Sequence, residues 1–135
     1  MKVLDTDFLI DYLDGVPATE EFYEANGGND ELWIVPAPAY AEVLVGVGNL
    51  PDGTVSEAAD ALAWTETHEV DSGTAIEAAN IASEIGPQGP FLDGVAALVA
   101  AVGRRLDAPV VSADSDLTHE ETRQVIVVET YRRNS

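Results

Sequence analysis

The sequence predicts an α/β fold in which a central, mostly parallel sheet of four to five strands is covered by helices on both faces. Short apolar runs recur at 2–5, 32–35, 109–112 and 125–128, with 67–70 as a further candidate strand. Between them lie longer segments whose apolar residues keep helical spacing. Apolar strands that alternate with helices belong in a parallel sheet buried on both sides. The chain has 135 residues, 46% of them hydrophobic. That suits one domain over 1–135 with a single core.

The elements follow in order. After the strand at 2–5, a helix over 6–14 places Phe8, Leu9, Tyr12 and Leu13 on one face, and Gly15 and Pro17 end it. A second helix covers 18–26 and stops at Gly27 and Gly28. Leu32-Trp33-Ile34-Val35 is a strand, and Pro36 and Pro38 open a helix over 38–48. Asn49 to Gly53 make a turn, and Ser56 starts a helix that runs to Trp64. Ser72 is placed to cap a helix over 73–85, which Gly86 and Pro87 terminate. The longest helix spans 90–106, with Arg104 and Arg105 in its last turn, where positive charge suits the helix dipole.

Composition excludes several chemistries. With no cysteine, disulfides, zinc fingers, thiolate metal sites and cysteine nucleophiles are ruled out. The N-terminal apolar run is too short for a signal peptide, and no run reaches membrane-span length. The expectation is a soluble, cytoplasmic protein. Six basic residues stand against 25 acidic ones, for a net charge of −19. The acids are spread along the chain, as in Glu20, Glu21 and Glu24, Glu57 and Asp60, or Glu120 and Glu121. At about 1 M salt the screening length falls to about 3 Å, and such self-repulsion becomes tolerable. The pattern resembles proteins of salt-loving archaea; an ordinary acidic protein is the plainer alternative.

Functional groups of open α/β sheets gather at the carboxyl ends of strands. Asp5 closes the first strand, with Thr6 and Asp7 just beyond it. Asp114 and Asp116 follow the strand ending at Ser112. If those strands are neighbours, the carboxylates converge. Glu42 lies in the most apolar helix, and Asp93 opens the Ala-rich one. Small residues flank both, Ala39 and Gly46 for Glu42, Ala96 and Ala97 for Asp93, which lets a ligand approach closely. Clustered carboxylates repel one another unless a hard cation such as Mg²⁺ or Mn²⁺ removes that cost. Such metals activate water and stabilise charge on a phosphoryl group. Plainer roles stand beside this: caps for Asp5, Thr6 and Asp93, turns for Asp114 and Asp116, solvation for Asp7. His68 and His119 lack partners at metal-binding spacing, and no phosphate-cradling Gly-rich loop is present.

Four segments, in order, resemble the motifs of PIN domains: Leu4-Asp5-Thr6-Asp7, Ala41-Glu42-Val43, Leu92-Asp93-Gly94-Val95-Ala96-Ala97, and Val111-Ser112-Ala113-Asp114-Ser115-Asp116. The length resembles that of VapC toxins from VapBC toxin–antitoxin pairs. The resemblance implies a Mg²⁺- or Mn²⁺-dependent endoribonuclease that cleaves tRNA or rRNA and leaves a 5′-phosphate. It implies catalytic roles for Asp5, Glu42, Asp93, Asp114 and Asp116, with metal on Asp5, Asp93 and Asp116. It implies supporting hydrogen bonds from Thr6 and Ser112. A homodimer and a VapB-like antitoxin are the implied partners. Position 7 departs from the pattern, being Asp where many relatives carry Asn or Ser, and the fourth motif leaves open which acid binds metal. RNA contacts need cations, and Arg132 and Arg133 in the C-terminal tail are the ones expected to reach phosphate.

Three rivals remain. A haloacid-dehalogenase-like phosphatase would need a Lys near the phosphoryl group, but the one Lys is Lys2, in the first strand. A catalytically silent PIN-fold binding subunit and an RNA-processing factor both keep the fold and change the role.

The charge generates a first prediction. Lowering KCl from molar to about 0.05 M should reduce the melting temperature and the helical circular dichroism, because exposed carboxylates then repel over about a Debye length of 10 Å or more. Unchanged melting across that range would reject salt adaptation.

Overall fold

The sheet is built outward from its first strand. The computed structural model describes residues 1–132. Strand β1 (Lys2–Leu4) leads into helix α1 (Thr6–Leu13) and α2 (Pro17–Ala25), then a single 3₁₀ turn, Gly28–Asp30. Strand β2 (Trp33–Pro36) is followed by α3 (Ala37–Gly48), α4 (Val55–Ala61) and β3 (Glu66–His68). The long pair α5 (Ser72–Ile85) and α6 (Gly94–Leu106) precedes β4 (Val110–Val111), α7 (Glu120–Arg123) and β5 (Val128–Glu129). The strand order is β3-β2-β1-β4-β5, and every pairing is parallel.

The chain winds from β1 out to β3, then returns to place β4 on the other side of β1. The boundary between β1 and β4 is thus the point where the winding reverses, the usual crevice of a doubly wound sheet. Consecutive strand residues point to opposite faces. Val3, Leu4, Val110 and Val111 are all 0% exposed, so both faces of the central strands are covered.

Several elements differ from the sequence expectation. The long helix begins at Gly94 rather than at 90, with Asp93 as its N-cap. Asp71, not Ser72, caps α5, through a capping box with Thr74. The apolar run 125–128 is not a strand throughout. The N–H groups of Val125 and Ile126 bond back to Thr122 O and close a short helix, α7, that the run concealed. Only the last residue of the run joins β5, in register with Val110. Val127 is 66% exposed between buried Ile126 and Val128, the alternation of a strand at the sheet edge.

Close packing sets the position of α6. A Cβ added at Gly103 would meet Val110 Cγ2 at 2.6 Å and Ala108 O at 3.1 Å, whereas one added at Gly46 on α3 meets nothing within 4 Å. Gly103→Ala should therefore destabilise the fold by about 1–3 kcal/mol, and Gly46→Ala should stabilise it by about 0.5–1 kcal/mol through helix propensity. Urea titrations of both variants check this; equal shifts for the two would show that α6 is not packed against β4 as described.

Candidate active site

Because β1 pairs with β4, Asp5 and the loop after Val111 share one edge. The Asp5 N–H donates to Val111 O at 3.1 Å, extending the ladder by one residue. Asp5 is 5% exposed. The Ser112 hydroxyl donates to Asp5 Oδ2 at 2.7 Å, and the Asp114 N–H donates to Ser112 Oγ at 2.9 Å. Asp7, in the first turn of α1, accepts from the Ala113 N–H at 2.9 Å through Oδ2. The first and fourth motifs are thus bonded to each other across the strand ends.

An open cleft of about 190 Å³ lies there, lined by the side chains of Asp5, Thr6, Asp7, Glu42, Asp93 and Asp114. Asp93 caps α6 by accepting from the Ala96 N–H at 2.8 Å, so the capping role and the place in the cleft coexist. Glu42 is exposed, although its helix is strongly apolar. The buried face of α3 carries Ala39 and Val43, and Glu42 stands on the cleft side.

Asp116 is not part of the lining. It is exposed, and its N–H donates to Asp114 Oδ2 at 3.1 Å, as does the Leu117 N–H at 3.0 Å. Asp114 therefore organises the turn and faces the cleft, while Asp116 continues outward. Thr6 also departs from expectation. Its Oγ1 is buried at the cleft without a hydrogen-bond partner, as is Asp7 Oδ1. The Ser112 hydroxyl is bonded to Asp5, and the Thr6 hydroxyl is not bonded to any of the acids.

The electrostatics match this crowding. Burial, followed by the charge of Asp7, pushes the Asp5 carboxyl up to about 7 against the hydrogen bond from Ser112. Burial also raises Asp7, the Ala113 N–H opposes it, and Asp114 and Asp11 add to the rise. Burial in the site thus disfavours the ionised form of both carboxyls.

Other candidates fall elsewhere. The Arg132 guanidinium lies against Asp11 at 2.7 Å beside the Tyr131 hydroxyl, which donates to the same oxygen at 2.6 Å. Arg133 lies outside the described residues. His119 caps α7 by accepting the Glu121 N–H on Nδ1, and His68 ends β3 away from the cleft. Among the described residues no helix is long and apolar enough to cross a membrane.

The PIN domain family model matches residues 2–121. The chain belongs to the PIN domain family. Solved structures share the fold at low identity. A toxin–antitoxin complex from Klebsiella pneumoniae aligns with TM-score 0.79 and 16% identity over 99% of this chain and 100% of that one. VapBC2 from Rickettsia felis, bound to a promoter DNA fragment, aligns with TM-score 0.78 and 14% identity over 96% and 97%. FitAcB from Neisseria gonorrhoeae aligns with TM-score 0.78 and 18% identity over 97% and 98%. No curated protein sequence matches significantly. In this PIN domain Asp5, Asp7, Glu42, Asp93 and Asp114 line one cleft at the winding reversal of the sheet.

The raised Asp5 pKa generates a pH prediction. A carboxyl raised on folding holds its proton more tightly in the folded chain, so its stabilisation is complete below 3.8 and is lost as pH rises through about 7. In metal-free, constant high salt, the melting temperature should fall over that window, and Asp5→Asn should flatten the fall. Parallel pH profiles for the two proteins would mean that Asp5 is ionised in the fold.

Proposed function

We propose that this PIN domain is a metal-dependent endoribonuclease, the toxin of a toxin–antitoxin pair, acting on tRNA or rRNA. The observation that carries the reading is the cleft in which acids from four separated segments face buried, unpartnered Asp7 Oδ1 and Thr6 Oγ1. Unsatisfied oxygens among mutually repelling carboxylates fit a hard divalent cation. Among the described residues no three His, Asp or Glu side chains form a ready-made metal cage. Mg²⁺ does not require one, since it keeps several waters and takes only one or two carboxylates. Mn²⁺ favours the same oxygen donors.

Asp5 and Asp114 would hold the ion from the strand ends, with Asp93 and Glu42 facing them from α6 and α3. We assign the fourth-motif role to Asp114 rather than Asp116 because Asp114 lines the cleft. The bound ion would supply an activated water and offset charge on the phosphoryl group. Ser112 fixes the orientation of Asp5, and the Ala113 N–H fixes Asp7. Asp5, held near neutrality in its pKa, would release its proton as the cation binds. The toxin role rests on the complexes with which the fold aligns; cytoplasmic location, an antitoxin partner and a homodimer belong to the same proposal.

The excess of acids over cations, which repels RNA phosphates, favours a second reading, a catalytically silent binding subunit. Cleavage of total RNA in molar KCl with Mn²⁺ separates the two. Activity should vanish with EDTA, fall by about two orders of magnitude or more in Asp93→Asn and Asp114→Asn, and persist in Asp116→Asn. Activity that survives Asp93→Asn would place catalysis elsewhere, and no heat of Mn²⁺ binding by calorimetry would support the silent subunit.

A further inference from the structure

Away from the acidic cleft, a pocket of about 290 Å³ is lined by Tyr12, Glu20, Tyr23, Glu24 and Trp64. It draws on α1, α2 and the turn after α4. Trp64 meets Tyr12 and Tyr23 edge to face, each with ring centroids 5.2 Å apart. The walls are braced from behind. Tyr23 stacks on Trp33 at 5.4 Å, and the Trp33 Nε1–H donates to Gly28 O at 2.9 Å. The Tyr23 hydroxyl donates to Asn29.

Glu20 and Glu24 stand one turn apart on α2, exposed, and neither is ion-paired among the described residues. Like charges at that spacing repel. Aromatic walls with two carboxylates at the mouth are complementary to a cation, which gains from the ring faces and relieves the repulsion. They are a poor match for a nucleobase, whose flanking phosphates the glutamates repel.

Among the described residues the Lys and Arg side chains are engaged elsewhere. Lys2 pairs with Glu129, Arg104 with Glu77 and Glu84, Arg105 with Asp71, and Arg132 with Asp11. Arg123 donates to Thr118 O, Val128 O and Thr130. A second copy would bring another −19.

We propose that this aromatic pocket receives an arginine side chain from a basic polypeptide partner. Arginine fits better than lysine because its planar guanidinium stacks on rings and presents a fork of donors to two carboxylates. The net charge steers such a partner to the surface. The assignment does not depend on the nuclease reading.

The test titrates the peptide acetyl-Gly-Arg-Gly-amide into ¹⁵N-labelled protein, at the lowest salt that keeps the fold by circular dichroism. The Trp64 indole N–H, identified by its loss in Trp64→Phe, is the reporter. It should shift saturably, while the neutral citrulline peptide binds about tenfold or more weakly. Glu20→Gln/Glu24→Gln, both exposed positions, should keep or raise the parent melting temperature and weaken arginine by a similar factor. An equal response to citrulline, a Trp64 shift by guanosine monophosphate in place of arginine, or a shift confined to the Ala96 amide in the acidic cleft would each overturn the assignment.

Discussion

The parallel pairing of β1 with β4 is the constraint on which the site depends. It brings the end of a buried strand carrying Asp5 beside the loop carrying Ser112 and Asp114. No flexible segment makes the acids meet; the ladder does. The cost is electrostatic, since Asp7 and Asp114 oppose the ionisation of Asp5, and Asp114 and Asp11 that of Asp7. Hydrogen bonds from Ser112 and from the Ala113 backbone offset part of it, and they also fix which oxygens remain unpartnered. A half-buried carboxylate with one satisfied and one unsatisfied oxygen is a poor structural element and a suitable cation donor.

The remaining acids arrive by a different route. Asp93 sits at the N-terminus of α6, where its capping bond to Ala96 fixes its carboxylate relative to the helix. Close approach of Gly103 to Val110 fixes that helix against β4. The position of Asp93 is therefore referred to the same strand that positions Asp114. Glu42 is referred to α1 through α3, since the two helices pack together. It is exposed, and it is the site acid with the least structural restraint.

Much of this was legible in the sequence. Apolar strands bracketed by helix caps declare themselves, and Asp5, Glu42 and Asp93 stand where their elements begin or where small residues surround them. Asp114 and Asp116 were not separable, because the choice is made by a turn in which Asp114 accepts from the Asp116 and Leu117 N–H groups. The apolar run 125–128 hid α7, since hydrophobicity does not reveal that Thr122 captures the first two N–H groups. Arg132 read as a free tail cation because its partner, Asp11, is 121 positions away in sequence. The aromatic pocket left no local signal, because Tyr12, Tyr23 and Trp64 come from three different segments.

The distribution of charge shapes how this surface meets other molecules. The basic side chains of the described residues are all engaged within the chain, and two of the pairs, Lys2–Glu129 and Arg132–Asp11, tie the C-terminal segment to β1 and α1. Those cations serve the fold, so an RNA backbone finds few of them on the outside. Its phosphates are repelled by most of the surface. A basic polypeptide meets the opposite field and is drawn by the whole surface. Salt screens that long-range attraction, so in concentrated salt a partner is held by the contacts it makes in a pocket rather than by the net charge.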